Sequence, residues 1–180
     1  MKRYIPVLLT ILAFMVLCTS VNAKDTNIVY LDSQRILIES AAGKDAYDKL
    51  EAVKNEKQAE IDKMLKSLKE LGETISVKSP TMKDSARQEL ELKYEQEQRA
   101  YNRFVKDAQE ELRRVELSLV KPISDEVNVI IEEYGNKNAI DLILDRRDPG
   151  IVYTSKTLDI TDVIIELYDK KYLESKGKNE

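Results

Sequence analysis

The residues best suited to acid–base chemistry in this sequence are Asp141 and Asp145, which share one face if the segment around them is a strand. Paired carboxylates can act as general acid and general base. The sequence has no His, its single Cys is Cys18, and it has neither a glycine-rich phosphate loop nor a Gly-x-Ser-x-Gly motif. We therefore interpret both carboxylates as residues that end strands or pair with Arg146 and Arg147. The sequence predicts a protein that is not an enzyme and has no cofactor or metal.

The first 23 residues have the composition of a cleaved secretion signal. Lys2 and Arg3 precede an apolar run over residues 5–17, and the small-residue pattern at 21–23 predicts cleavage after Ala23. The uninterrupted apolar run is shorter than the roughly 20 residues that span a bilayer, which disfavours an uncleaved anchor. A lipoprotein signal ending at Cys18 is the other alternative. It is less favoured because Leu17 stands where such signals carry a small residue.

Cleavage would change the charge and the thiol content of the chain. The formal net charge of −4 would become −6, because the leader carries two positive charges and no negative charge. An acidic chain argues against general nucleic-acid binding, which requires many cations against the phosphates. Loss of Cys18 would leave no cysteine to form a disulfide. Nothing beyond the leader indicates membrane contact, and the sequence leaves that contact open.

A long helical hairpin arm is predicted over residues 44–118. Low glycine and proline content together with 34% charged residues favours long helices. Apolar residues recur at three- and four-residue spacing on both sides of a single break at Ser79-Pro80, so the tip is expected at 77–83. Lys54 and Lys57 would form a polar gap in the seam, the line along which the two helices meet. The seam residues that could also contact a bound partner are Leu68, Leu71, Tyr94, Tyr101 and Phe104.

Residues 24–43 and 119–180 would form a small β-containing body. Strands are predicted at 27–32, 139–145 and 151–154, the last two joined as a hairpin by a turn at 146–150. The first strand is apolar on both faces, so it is expected to be sandwiched. The expected core residues of the body are Ile28, Tyr30, Leu142, Leu144 and Val152. Because so small a body cannot bury these faces alone, other copies of the chain should complete it.

Several residues mark the ends and joints of the helices. Asp32 or Ser33 should cap a short helix after the first strand, and Asp159 should cap the last helix. Thr81 begins a capping-box pattern that would restart the helix after the tip. Pro122 lies inside a continuing helical pattern, which predicts a kink or hinge where the arm meets the body. The fold class is therefore α+β, mainly α, with a long helical hairpin on a small β-containing body.

Five short segments, taken in order and spacing, resemble the Skp/OmpH family of periplasmic chaperones. They are NIVYLD at 27–32, FVKD at 104–107, LVKPI at 119–123, IDLILD at 140–145 and DITDV at 159–163. The resemblance covers essentially the whole chain after the leader. It implies a homotrimer whose strands join into one trimerisation body, with three helical hairpins projecting around a cavity.

The resemblance also implies a function. Members of the Skp/OmpH family are ATP-independent holdases that bind unfolded outer-membrane proteins in the periplasm and prevent their aggregation. This chain departs from the strongly basic relatives, because it is acidic and has Glu110 and Glu111 where they carry basic residues. We therefore do not transfer the lipopolysaccharide-binding site of those relatives to this chain. The alternative is a structural coiled-coil protein that spaces or tethers layers of the cell envelope.

Overall fold

The computed structural model describes residues 26–177, so the predicted leader, its cleavage after Ala23 and Cys18 lie outside the described residues. Two strands, four α-helices and two short 3-10 helices follow one another, and the predicted fold class is confirmed. The elements are β1 (Ile28–Leu31), α1 (Ser33–Glu39), α2 (Ala41–Lys78), a 3-10 helix (Ser79–Thr81), α3 (Asp84–Lys137), β2 (Leu142–Asp145), a 3-10 helix (Lys156–Leu158) and α4 (Thr161–Lys176). Within residues 26–177 no helix has the length and apolar character needed to cross a membrane.

The arm consists of α2 and the first part of α3, packed antiparallel. The 38 residues of α2 correspond to about 57 Å at 1.5 Å per residue. The predicted break at Ser79-Pro80 is confirmed as a 3-10 helix. The predicted capping box is wrong, because α3 begins at Asp84 after Lys83, which makes no side-chain cap. The Thr81 hydroxyl instead donates to the Lys78 carbonyl at 3.0 Å and so closes the end of α2.

The sheet of the described chain contains two parallel strands. β1 pairs with β2 in a register that places Ile28 opposite Leu142 and Leu31 opposite Asp145. On its other edge, β1 forms a single parallel bridge between Tyr30 and Asp159. The second strand is shorter than predicted, since it begins only at residue 142. β1 thus has a neighbour on each edge, whereas the predicted cover of both its faces is only partial in the single chain, because Ile28 is 39% exposed.

The predicted third strand at 151–154, and its hairpin with β2, are wrong for the single chain. Two successive turns direct the chain away from β2: the Asp148 N–H donates to the Asp145 carbonyl and the Ile151 N–H donates to the Asp148 carbonyl, each at 3.0 Å. The chain then returns to β1, where the Ile160 N–H donates to the Tyr30 carbonyl at 2.9 Å. The turn predicted at 146–150 is confirmed, but the segment after it has no regular structure.

The hydrophobic core of the single chain lies between the helices and one face of the sheet. Its buried members are Leu31, Ile36, Ala42, Ile123, Val127, Ile130, Ile160, Ile164 and Tyr168. Three of them recur along α3 at four- and three-residue spacing, the period of one helix face. The part of α3 beyond the arm therefore forms the central support of the body, with α1, α4 and β1 packed around it.

Carboxylates fasten the ends of the short elements. One oxygen of Asp32 accepts hydrogen bonds from two backbone N–H groups of α1, at 3.0 and 3.1 Å, as predicted. Asp159 accepts from the N–H of Thr161 at 2.9 Å, although Ile160 occupies the N-cap position itself. The Ser33 hydroxyl donates to Asp145, and the Arg147 N–H donates to the same carboxylate at 3.0 Å.

Burial by itself would raise the pKa of Asp145, but hydrogen bonds from Ser33 and Arg147 outweigh it and hold that pKa below its ordinary value of 3.8. A carboxyl whose pKa is lowered by folding stabilises the protein above its unfolded pKa. That stability is lost as the pH falls through the lowered folded value. The bond between Ser33 and Asp145 also joins α1 to the end of β2.

We predict that Ser33→Ala lowers the free energy of unfolding by about 1 kcal/mol at neutral pH, because one hydrogen bond to a partly exposed carboxylate is lost. The difference from wild type should shrink at a pH below the lowered folded pKa of Asp145, where the carboxyl is protonated in both states. Urea unfolding at the two pH values measures both effects. Ser118→Ala, which removes an exposed hydroxyl from the arm, is the control. An equal loss for Ser33→Ala at both pH values would contradict the assigned role of Asp145.

Candidate functional site

The structure brings the five predicted arm residues together along the seam. Leu68 is buried, and Leu71, Tyr94, Tyr101 and Phe104 are half-buried between the two helices. Two helices can cover only one stripe of each other, so the outer edges of these side chains stay accessible. Their packing role is visible in the chain, and their contact with a bound partner stays a prediction.

Polar side chains also cross the seam. Lys57, one of the two residues of the predicted polar gap, is half-buried and forms an ion pair with Glu111 at 2.9 Å, whereas Lys54 is exposed. The hydrogen bond to Glu111 raises the pKa of Lys57. Nearer the tip, the Ser67 hydroxyl donates to Glu97 at 2.9 Å. These contacts set the register between the two helices where apolar packing is interrupted.

Large apolar side chains are also exposed away from the seam. Leu65 and Leu92 are each about half exposed and Val77, near the tip, is 75% exposed. The heptad pattern did not identify them, because it selects only the residues that face the partner helix. They alternate with charged residues, so the surface of the arm mixes small apolar patches with charges of both signs.

The predicted core residues of the body separate into two groups. Tyr30 is buried and Leu144 is half-buried, but Ile28 and Leu142, which pair across the strands, are 39% and 45% exposed. Val152 is 98% exposed, so it lies outside the core of the single chain. The core that the chain builds for itself uses the opposite face of the sheet, where Val29, Leu31 and Ile143 pack on the helices. A role in a core shared between subunits stays a prediction.

An open apolar groove of about 320 Å³ lies at the root of the arm. It is lined by Leu37, Ile38, Gly43, Lys44, Ala46, Tyr47, Asp48, Leu50, Glu116, Leu119 and Val120. The side chain of Tyr47 lies at the edge of this groove and is 67% exposed. No local signal identifies the groove, since its wall combines the end of α1 with residues of both arm helices.

Pro122 lies on the exposed side of α3, one residue before the buried Ile123. The helix runs without a break from Asp84 to Lys137 through this proline. Proline cannot donate the helical hydrogen bond to the carbonyl of Ser118, so α3 lacks one of its stabilising contacts here. The predicted hinge at this position stays a prediction.

Asp141 and Asp145, which were considered above for acid–base chemistry, both accept hydrogen bonds that hold the structure together. Asp141 accepts a hydrogen bond from the N–H of Asn27 at 2.9 Å, and Asp145 has the partners described above. Among residues 26–177 no cluster of His, Cys, Asp or Glu side chains has the arrangement of a metal site. The arm, its root groove and the partly exposed sheet face are the accessible apolar surfaces described above.

Comparisons with known proteins identify the family. The family model described as outer membrane protein (OmpH-like) matches residues 27–168, most of the chain. A Skp-like protein of Chlamydia pneumoniae is 24% identical over 165 residues, which cover 88% of this chain and 95% of that protein. The fold is similar to the crystal structure of a protein from Caulobacter crescentus CB15 assigned as an OmpH-like outer membrane chaperone. That similarity has a TM-score of 0.70 at 19% identity and covers 82% of this chain and 86% of the other.

The chain belongs to the OmpH-like family, also called the Skp/OmpH family, and the resemblance drawn from its short sequence segments is confirmed.

Gly43 and Gly72 provide a matched test of how tightly the root of the arm is packed. A Cβ at Gly43 would lie 1.6 Å from the Leu37 carbonyl oxygen, whereas one at Gly72 would meet only Tyr94, at 3.5 Å. We predict that Gly43→Ala destabilises the protein by about 2–3 kcal/mol through backbone overlap. Gly72→Ala should stabilise it by about 0.5–1 kcal/mol, because alanine favours helix. Thermal unfolding followed by circular dichroism measures both. Equal effects of the two changes would contradict the close packing at Gly43.

Proposed function

We propose that this protein is an ATP-independent chaperone that holds unfolded outer-membrane proteins and prevents their aggregation. The single observation that supports this most is the arm, a two-helix projection of about 50 Å whose surface carries separate apolar patches. Membership of the OmpH-like family agrees with a role in handling outer-membrane proteins. A relative assigned as an outer membrane chaperone shares the fold.

Client proteins would be held by many weak contacts along the arms. Leu65, Val77 and Leu92 are exposed, and the half-buried Tyr94 and Tyr101 present only their edges. Each such contact buries little apolar area, so each one alone is weak. Several contacts on one client raise the effective concentration of the others, which permits firm holding together with release.

Charge would play a smaller part than in basic relatives. The chain has a formal net charge of −4, or −6 after loss of the proposed leader. Acidic clients are therefore not attracted over long distances, and protection should change little as salt screens the charges. We further propose that the protein acts in the periplasm after cleavage behind Ala23, with unfolded outer-membrane or other secreted proteins as its partners.

The working form would be a homotrimer built on the sheet. A two-stranded sheet is marginally stable alone, and here the face that carries Ile28 and Leu142 is partly open. Val152 and Tyr153 are exposed beside a turn, in a segment of strand-forming residues that pairs with no strand among residues 26–177. Pairing with other copies would cover these groups, and three arms would then surround one cavity.

Leu142→Asp tests this assembly. The side chain is 45% exposed in the single chain, so aspartate there should leave the helix content of the chain intact. If the sheet face is buried between subunits, the charge would be desolvated and the protein should become monomeric at micromolar concentration. Sedimentation velocity with circular dichroism measures both properties. Leu173→Asp, at an exposed position on α4, is the control. A monomeric wild-type protein would contradict the proposed trimer.

A variant in which residues 54–111 are replaced by a short linker tests the arm, because it leaves the root of both helices in place. We expect this variant to lose most protection of an unfolded outer-membrane protein against aggregation, measured by light scattering. A double variant, Leu65→Ser with Leu92→Ser, should weaken protection severalfold, whereas Leu173→Ser on the body should not. Full protection by the shortened protein would contradict a holding role for the arms and would favour the envelope-spacer alternative.

A further inference from the structure

α4 is fastened to the root of the arm by a polar cluster around Asp45, on the second turn of α2. One carboxylate oxygen of Asp45 accepts hydrogen bonds from the Tyr172 hydroxyl at 2.8 Å and from the Lys176 ammonium at 2.6 Å. The ammonium also lies 5.8 Å from the centroid of the Tyr172 ring. Hydrogen bonds from Lys176 and then Tyr172 hold the pKa of Asp45 below its ordinary value. The carboxylate therefore joins the last turns of α4 to the start of α2.

Two further contacts extend this attachment to the first turn of α2 and to α3. Asp169 accepts a hydrogen bond at 2.7 Å from the N–H of Ala41, a donor that the helix itself leaves unsatisfied. Tyr168 is buried, and burial together with a hydrogen bond to Glu126 of α3 raises its pKa. Both helices of the hairpin are thus attached to α4, and they are attached at the same level.

The attached region ends close to Pro122. A cleft of about 200 Å³ lies between α4 and this part of the hairpin, and its lining includes Asp45, Lys49, Ser118 and Pro122. The proline lacks the helical hydrogen bond to Ser118, so α3 bends more easily here than elsewhere. Ile123, which also lines the cleft, is buried and holds the helix in the core. The contacts given above therefore stop where the most easily bent part of α3 begins.

We propose that the last two turns of α4, through Asp169, Tyr172 and Lys176, clamp the root of the hairpin and set the angle at which the arm leaves the body. The arm beyond Asp45 is a lever of about 50 Å, so a rotation of about 10° at the root moves the tip by about 9 Å. Lys176 and Asp45 keep 53% and 35% of their side-chain surface exposed, so the clamp can open without disrupting the buried core. The inference concerns the geometry of the arm and holds whatever the arm binds.

Spin-label distances in the full chain test the clamp. One nitroxide is attached at Lys69→Cys on the arm and the other at Arg146→Cys, directly after β2; both positions are exposed. Cys18→Ser removes the native thiol, and labelled chains are diluted with unlabelled chains so that only distances within a chain are measured. The expected effect of opening the clamp is a distribution broadened or shifted by about 3 Å, a fraction of the lever displacement.

The test variant is Tyr172→Phe combined with Lys176→Met, which keeps the ring and the alkyl stem but removes both bonds to Asp45. Lys171→Met is the matched control, since it removes the same charge from an exposed position of the same helix, beside the end of α3. If the double variant loses helix content, the isosteric Asp45→Asn decides in its place. A distribution identical to wild type overturns the proposal, and so does equal broadening in the control.

Discussion

The parallel pairing of β1 with β2 is the constraint on which the rest of the structure depends. Parallel neighbours require a crossover, and here α1, α2 and α3 all lie within that crossover. The chain leaves the sheet at the carboxyl end of β1 and must return to the opposite end, where β2 begins, so the returning helix has to run further than the outward helix. α3 has 54 residues against 38 in α2, because it descends past the start of α2 to reach β2. The part of α3 beyond the arm is the central helix of the body.

A hairpin of only two helices has a limited capacity for burial. Leu68 and Ala108 are the buried residues of the arm within the described chain, and the other seam residues stay half exposed. The arm therefore owes its order to helix formation, to polar cross-links such as Lys57 with Glu111 and to its anchored root. A surface of this kind has no single deep site. This is why we propose that partners are held through distributed weak contacts.

The body divides its two sheet faces between two tasks. One face, with Val29, Leu31 and Ile143, completes the core of the chain itself. The other face leaves Ile28 and Leu142 partly exposed and is where we propose that further copies pack. The same small core also holds α4 against the root of the arm.

The sequence by itself determined the features that depend on neighbours along the chain. The helical hairpin, its tip at Ser79-Pro80, the first strand and the Asp32 cap follow from periodicity and from the conformational limits of single residues. Only the tertiary structure decided that β2 pairs parallel to β1, that residues 151–154 form no strand with β2, and that Ile28 and Leu142 are left partly exposed. It also decided the contact of Asp45 with Tyr172, 127 residues apart. Local patterns limit which conformations a segment favours. Which segments meet is determined by the energy of packing the whole chain, and no short window of sequence contains that energy.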